Sequence, residues 1–247
     1  MIKREASTAL IIPALNEEDV LGEMLSRIPR DLFRWVIVAN NGSTDQTALI
    51  ARAHGAMVVD EPERGYGAAC LKAVNALPQD CDFVVFMQAD LSEDVSDIPR
   101  LLAPLLDGRA DLVIGSRTLG VCEPGALLPH QQVGNAVATG FIRLLYGHRY
   151  TDLGPFRAIR FQALRQLGMQ DRGFGWTVEM QVRALQQGLR VVEVPVQYRK
   201  RRAGVNKISG QWKASLAAGS KILWTVLRLT APLIWKRMTK RGGSNMP

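Results

Sequence analysis

Four short polar segments follow apolar runs in the first hundred residues, and their residue types suit a phosphate-bearing ligand. They lie at 13–18, 40–45, 64–67 and 88–92. Together they supply carboxylates, carboxamides, glycines and an arginine, which can hold a base, a ribose and a metal-bound diphosphate. Each segment alone is weak evidence, because a run such as 41–45 (Asn-Gly-Ser-Thr-Asp) is also an ordinary turn before a capped helix.

The elements around these segments alternate between strand and helix. Short apolar runs rich in β-branched residues predict buried strands at 8–13, 34–39, 56–60, 82–87 and 111–115. Apolar spacing of three and four predicts helices at 17–28, 44–54, 67–77 and 97–106. The alternation predicts an α/β fold with a mostly parallel central sheet flanked by helices, and ligands at the carboxyl ends of its strands.

The second half of the chain has a different pattern. Helices are predicted at 131–146 and 177–187, and a strand at 190–198, in which Pro195 indicates an edge position. Residues 209–235 read as one long amphipathic helix, or two with a break at Pro232. We therefore expect a main domain at 1–208 and a basic amphipathic helical tail at 209–247.

The ordered motifs resemble those of the family 2 glycosyltransferases, and among them the polyprenyl-phosphate hexose synthases such as dolichyl-phosphate mannose synthase. The resemblance covers about residues 8–210. The matching motifs, in chain order, are Pro13-x-x-Asn16-Glu17, Asn41-Gly42-Ser43-Thr44-Asp45, Ala89-Asp90-Leu91-Ser92, Gly115-Ser116-Arg117, Thr151-Asp152 with Phe156-Arg157, and Glu193-Val-Pro195 followed by Arg201 and Lys207. The resemblance implies the GT-A nucleotide-sugar fold.

The resemblance also assigns roles to residues. The nucleotide-sugar site is expected to contain Pro13, Leu15, Asn16, Glu17, Asn40, Asn41, Asp45, Gly65, Gln88, Ala89, Asp90, Arg117, Arg201 and Lys207. Within this set Asn41 would contact the base, and the side chains of Arg117, Arg201 and Lys207 would bind the phosphates. Asp152, Arg117 and Glu179 are the expected catalytic residues, Glu179 because relatives often carry an acid there facing the acceptor. A solvated helix carboxylate is the alternative for Glu179, and a turn residue the alternative for Asp152.

Two departures from the family pattern remove negative charge. Gln88-Ala89-Asp90 stands where most members carry Asp-x-Asp, and Asn40-Asn41 stands where they carry Asp-Asp or Asp-Asn. Mg²⁺ or Mn²⁺ is the expected cofactor, held by Asp90, the Gln88 carbonyl and the Ser92 hydroxyl with the substrate phosphates. The lost carboxylate weakens such a site.

The expected reaction is inverting transfer of a hexose from a nucleotide-diphosphate sugar to a polyprenyl phosphate. A lipid phosphate is already an anionic nucleophile and needs no base, whereas Asp152 would be the leading base for a hydroxyl acceptor. The alternatives are a soluble or lipid hydroxyl acceptor, or a pseudoenzyme that binds nucleotide sugars without turnover. A dinucleotide site is disfavoured, because Gly65-x-Gly67 has Cys70 at the third glycine position and does not follow the first strand.

Charge is distributed unevenly along the 247 residues. Residues 199–247 contain twelve Lys or Arg and no Asp or Glu, which leaves the rest of the chain net acidic within an overall charge of +8. With Trp212, Trp224 and Trp235, this suits the surface of an anionic bilayer, and packing of the helix against the main domain is the alternative. No nucleic-acid motif accompanies the basic segment. Three cysteines without metal-site spacing indicate a reducing compartment. We expect a cytoplasmic protein, peripheral at the inner face of the membrane, with a homo-oligomer left open.

Overall fold

A seven-stranded sheet forms the centre of the computed structural model, which describes residues 6–202, 221–222 and 224–231. The strands are β1 (Thr8–Ala14), β2 (Trp35–Asn40), β3 (Met57–Asp60), β4 (Phe83–Phe86), β5 (Leu112–Ser116), β6 (Arg157–Arg160) and β7 (Val191–Pro195). Their order is β3-β2-β1-β4-β6-β5-β7, and only β6 runs antiparallel to its neighbours in this described sheet. The predicted α/β class with a mostly parallel sheet is confirmed.

Helices cover both faces of the sheet. They are α1 (Glu18–Arg27), α2 (Thr47–Ala53), α3 (Tyr66–Asn75), α4 (Ile98–Leu106), α5 (Pro129–Tyr146), α6 (Phe161–Leu167) and α7 (Trp176–Gln186), with single 3-10 turns at Arg30–Leu32 and Val95–Asp97. Along β1, Ile11 packs into the core under α3 and α7, while Leu10 and Ile12 pack into the core under α1 and α4. Burial on both faces explains why the central strands read as uninterrupted apolar runs.

The antiparallel strand β6 and helix α6 are the elements that the sequence pattern does not predict. β6 is four residues long, begins and ends with arginine, and lies between β4 and β5. Its two inner residues, Ala158 and Ile159, are fully buried. The predicted edge position of the last strand is confirmed, because β7 pairs with β5 alone in the described sheet.

The register of the parallel strands brings the polar segments together. Ala14 at the end of β1 pairs with Asn40 at the end of β2, and Asn40 pairs with Asp60 at the end of β3. On the other side of β1, Ile11 pairs with Phe86 at the end of β4. The segments after these four strands therefore open at one edge of the sheet, as predicted.

Residues 221–222 and 224–231 are helical and pack on the main domain. Lys221 Nζ lies 3.1 Å from Asp171 Oδ2, and the hydroxyls of Tyr146 and Thr230 lie 3.0 Å apart. The side chain of Val226 is fully buried, whereas 60% of Trp224 is exposed. This segment thus has one packed face and one exposed face. The predicted boundary at 208 and the rest of the tail lie outside the described residues.

Candidate active site

The segments after β1 and β2 are locked together by side chains. Asn16 has a positive φ of 50°, and its Oδ1 accepts a 2.9 Å hydrogen bond from the Thr44 backbone N–H. The backbone N–H of Asn16 donates to Ser43 Oγ, and that of Glu17 donates to Thr47 Oγ1. Pro13 and Leu15, the expected nucleotide contacts, are half-buried in the same strand end and loop. These contacts hold together the two segments in which the nucleotide site is predicted.

Asp45 joins the same network. Its carboxylate accepts hydrogen bonds from the Thr47 backbone N–H and hydroxyl and from the Glu18 backbone N–H. Burial acts to raise the pKa of Asp45, but these hydrogen bonds outweigh it and lower the pKa below its usual value. Asp45 is therefore an anion that organises the start of α2.

The two carboxamides at the end of β2 hold the next loop. Asn41 Nδ2 donates to the carbonyls of Glu61 and Glu63, at 3.2 and 2.7 Å, and its Oδ1 accepts from the Gly65 N–H at 2.8 Å. Asn40 Nδ2 donates to the Asp60 carboxylate at 2.7 Å. A carboxylate at either position would have no N–H to donate. The local structure therefore explains why asparagine, and not aspartate, stands at both positions. Contact between Asn41 and a base stays a prediction.

Gly65 lies where this loop meets the segment before α7. A Cβ added to Gly65 would lie 2.1 Å from the Arg172 carbonyl oxygen, and the φ of 153° also favours glycine. The fully buried Glu179 anchors that segment, because its carboxylate accepts from the backbone N–H groups of Gln170 and Asp171 and from Arg183 Nε. None of these bonds involves the Asp90 or Arg117 segments. A catalytic role for Glu179 stays a prediction.

Asp90 and Glu17 share one arginine at the centre of the edge. Arg201 donates a 2.7 Å hydrogen bond to Glu17 Oε1, and its Nε lies 3.3 Å from Asp90 Oδ2. Asp90 Oδ1 accepts from the backbone N–H and hydroxyl of Ser92. Both carboxylates are nearly inaccessible to solvent, so the guanidinium compensates buried negative charge. Lys207, the other expected phosphate ligand of this segment, lies outside the described residues.

The oxygens around Asp90 form a weak set of metal ligands. Ala89 is buried, Gln88 is half-buried, and the Gln88 carboxamide makes no hydrogen bond within the described part of the chain. No group of three His, Cys, Asp or Glu side chains among the described residues could hold an ion. The Asp90 carboxylate, Gln88 amide and Ser92 hydroxyl are hard oxygens that fit Mg²⁺ or Mn²⁺ only together with phosphate oxygens.

Glu93 is a buried acid that the sequence reasoning missed. Its Oε2 accepts a 2.8 Å hydrogen bond from the Gln88 backbone N–H, and its Oε1 accepts none from the described residues. Burial raises the pKa of Glu93 to about 8, opposed by the Gln88 hydrogen bond and by Arg117 and Arg157, while Asp90 adds to the rise. Its position directly after the Ala-Asp-Leu-Ser motif is the sequence signal that could have drawn attention to it.

Arg117 and Asp152 form a buried bidentate ion pair. Arg117 Nε and Nη2 each lie 2.7 Å from a different oxygen of Asp152, and the side chains are 14% and 0% exposed. Each oxygen also accepts a backbone N–H, from Arg117 and from Leu153. Burial acts to lower the pKa of Arg117, but Asp152 outweighs it and raises the pKa further above its usual value. Through these four hydrogen bonds, Asp152 positions Arg117 and the backbone of Leu153.

Glu193 fixes the segment that carries Asp152. Its carboxylate accepts from the Thr151 backbone N–H and hydroxyl and from the Asp152 backbone N–H. Burial raises the pKa of Glu193, against the effect of these hydrogen bonds. The sequence matched Glu193 as part of a motif but gave it no role, and the structure supplies one: it positions Asp152, which positions Arg117.

A cavity of about 750 Å³ lies beside Arg117, between α5 and the segment after β5. Its lining includes Thr118, Leu119, Gly120, Cys122, Leu127, Gln132, Asn135, Ala136, Thr139, Gly140, Arg143, Arg149, Tyr150 and Thr151. Next to it on α5, Val133, Val137 and Leu144 are exposed and spaced four and seven residues apart, which places them on one helix face. We call this row the α5 apolar strip. No helix of the described residues is long and apolar enough to cross a membrane.

Comparison with known proteins agrees with this geometry. Residues 9–168 match the family described as glycosyl transferase family 2. An uncharacterized glycosyltransferase of Mycobacterium tuberculosis is 39% identical over 86% of this chain and 94% of its own length. A dolichyl-phosphate hexose transferase of Haloferax volcanii is 31% identical over 81% and 86% of the two chains.

A solved structure of similar fold also matches. Glucosyl-3-phosphoglycerate synthase from Mycobacterium tuberculosis, in complex with Mn²⁺, uridine diphosphate and glucosyl-3-phosphoglycerate, superimposes with a TM-score of 0.73 at 22% identity. The match covers 92% of this chain and 81% of the synthase. At this identity the likeness concerns the fold alone, and it confirms the predicted GT-A fold.

Proposed function

The chain belongs to the family 2 glycosyltransferases, and from that premise we propose that it transfers a hexose, with inversion, from a nucleotide-diphosphate sugar to a polyprenyl phosphate. The donor is expected at the carboxyl ends of β1, β2 and β4, where Glu17, Asn41 and Asp90 lie. The acceptor is expected in the cavity beside Arg117, because this cavity adjoins the same edge and carries positive charge.

One observation carries the choice of acceptor: the four hydrogen bonds that Asp152 accepts. A hydroxyl acceptor needs a base with a lone pair directed at its proton, and both Asp152 oxygens already face Arg117 and backbone N–H groups. A phosphate acceptor carries its own negative charge and needs no base. The relative named as a dolichyl-phosphate hexose transferase supports the same choice.

The leaving diphosphate would be stabilised by fixed cations. Arg117 is held rigidly by Asp152, so its remaining N–H group can face a phosphate without further ordering. Arg201 would turn from Glu17 and Asp90 to the diphosphate. A divalent cation, when bound with the donor, would neutralise the charge that develops on the leaving group, and Asp90, Gln88 and Ser92 would hold it.

Two surfaces support a membrane location. The first is the α5 apolar strip, on the helix that lines the cavity, and the second is the exposed face that carries Trp224 and Leu227. The acid-free segment 199–247 would add attraction to anionic lipids of the cytoplasmic leaflet. A peripheral protein at that face would meet both a water-soluble donor and a lipid acceptor.

The test is release of nucleoside diphosphate by the purified full chain from a panel of nucleotide sugars. The acceptors are farnesyl phosphate, farnesol and 3-phosphoglycerate, which separate a lipid phosphate from a lipid hydroxyl and a soluble acid. Release that depends on farnesyl phosphate is expected. Release with farnesol, but not with farnesyl phosphate, would overturn the proposal. Saturable donor binding without release under any acceptor would favour a pseudoenzyme.

A further inference from the structure

Two arginines of the cavity make no ion pair with the described residues. Arg143 lies in the last turn of α5, and Arg149 follows the left-handed Gly147 that ends the helix. Both side chains are exposed, and no Asp or Glu of the described chain lies within ion-pair distance of either. By contrast, Arg117 in the same cavity forms a bidentate ion pair with Asp152.

The charge of the cavity wall has one sign. Its described lining contains Arg117, Arg143 and Arg149 but no aspartate or glutamate. Threonines, Gln132 and Asn135 supply neutral hydrogen-bonding groups among them. A concave wall with several cations and no acid attracts an anionic group and raises its local concentration.

We propose that Arg143 and Arg149 form a phosphate subsite that selects phosphate-bearing acceptors and delivers them to the part of the cavity that Arg117 lines. The inference rests on the proposed function, since it concerns the acceptor side of that same site. Guanidinium groups match phosphate oxygens with paired N–H donors, so the pair discriminates a phosphorylated acceptor from its alcohol. The simpler reading of Arg143, a cation that stabilises the carboxyl end of α5, predicts an effect on stability alone.

Cys122 provides a direct probe of occupancy. It lines the cavity and is half-buried, whereas Cys70 and Cys81 are buried, and burial raises the pKa of the Cys81 thiol to about 12. A maleimide should therefore label Cys122 first. Farnesyl phosphate is expected to slow that labelling in the full chain, and inorganic phosphate to slow it at higher concentration. Cys122→Ser should abolish the fast labelling, which assigns that signal to Cys122.

The variants are Arg143→Gln with Arg149→Gln, and Arg109→Gln as the matched control. Arg109 is exposed, pairs with Asp107 and does not line the cavity. We expect the double variant to lose protection of Cys122 by farnesyl phosphate and to raise the KM for that acceptor at least tenfold. Its kcat, its donor KM and its melting temperature should stay near those of the control.

A second variant tests the cavity without removing charge. A Cβ on Gly140 meets no atom within 4 Å, so Gly140→Leu projects into open cavity and should block the acceptor, while Gly140→Ala should not. Protection of Cys122 that is equal in wild type and the arginine variant would overturn the subsite, as would protection only by phosphatidylglycerol vesicles. If no acceptor gives turnover but arginine-dependent protection persists, the subsite stands and the proposed reaction falls. If the arginine variant shows normal turnover and a normal KM for farnesyl phosphate, the proposed reaction stands and the subsite falls.

Discussion

Arg117 presents its guanidinium edge to the buried carboxylate of Asp152, with two hydrogen bonds of 2.7 Å. Asp152 is thereby a positioning residue for Arg117, and in the proposed reaction Arg117 is the group left to face a phosphate. The 34 residues between them include all of α5, so the pair also ties the segment after α5 to the end of β5.

Asp152→Asn should reduce kcat at least tenfold. Asparagine has one acceptor oxygen, and its NH₂ would face the Arg117 donors, so the bidentate pair is lost. A hydrogen bond to a charged group contributes about 1.5–3 kcal/mol, which corresponds to roughly ten- to a hundredfold in rate. The measurement is steady-state turnover, with the exposed Asp107→Asn as control. Unchanged kcat in Asp152→Asn would remove this pair from the mechanism.

Asn41→Asp should destabilise the fold, although family members with the Asp-Asp pair carry an acid at this position. The buried carboxamide of Asn41 donates to the carbonyls of Glu61 and Glu63, and a carboxylate would place negative charge against both oxygens. Leaving buried groups unsatisfied costs about 1–3 kcal/mol. Urea unfolding measures the loss. Equal stability of wild type and Asn41→Asp would contradict the structural role.

The pH dependence of stability should change in Glu93→Gln. The pKa of Glu93 is raised to about 8 by burial, so its folded state holds a proton that the unfolded chain loses near its ordinary pKa of about 4.3. The stability from this proton is fully present below the unfolded value and is lost as pH rises towards 8. Glutamine carries no such proton.

The measurement for Glu93 is the free energy of unfolding of wild type and Glu93→Gln from pH 4.5 to 8.5. The difference between them should shift in favour of the variant as pH rises. A constant difference over this range would show that Glu93 titrates normally. Glu123→Gln, which removes an exposed acid, is the control.

The sequence predicts the elements that are recognisable from their own residues, and it does not predict those that depend on contacts with distant parts of the chain. β1, β2, β4 and β5 were predicted because burial on both faces leaves an apolar run. β3 was predicted as a buried strand, which is wrong, because it lies at the edge of the sheet with Met57 and Asp60 exposed. β6 has arginines at both ends and is defined by pairing with β4 and β5. The turn residues of the site were found by type. Their partners were not, because Arg201 lies 184 residues from Glu17 and spacing cannot reveal such contacts.

Anionic vesicles should bind the full chain, and high salt should weaken the binding. Each basic residue near such a surface contributes about 1 kcal/mol, screened over a Debye length of roughly 8 Å at physiological salt. Deleting residues 211–247 should remove most binding, and Val133→Ser with Val137→Ser should weaken what remains. Leu49→Ser, an exposed apolar residue on α2, is the control. Equal sedimentation of all forms with phosphatidylglycerol vesicles would reject both surfaces.

Metal binding should respond in opposite ways to changes at Gln88 and Asp90. Asp90 is the one carboxylate of the Gln-Ala-Asp motif, and Arg201 already compensates its charge. Gln88→Asp should therefore tighten Mn²⁺ binding in the presence of nucleoside diphosphate, and Asp90→Asn should weaken it and remove most turnover. Arg201→Gln should tighten Mn²⁺ binding without nucleotide, because it frees Asp90, yet raise the donor KM because a phosphate ligand is lost. Calorimetric titration with Mn²⁺ and turnover after chelator treatment separate the two effects. If wild type keeps full activity in chelator, the fixed arginines alone stabilise the leaving group, and the Asp90 segment has no metal to hold.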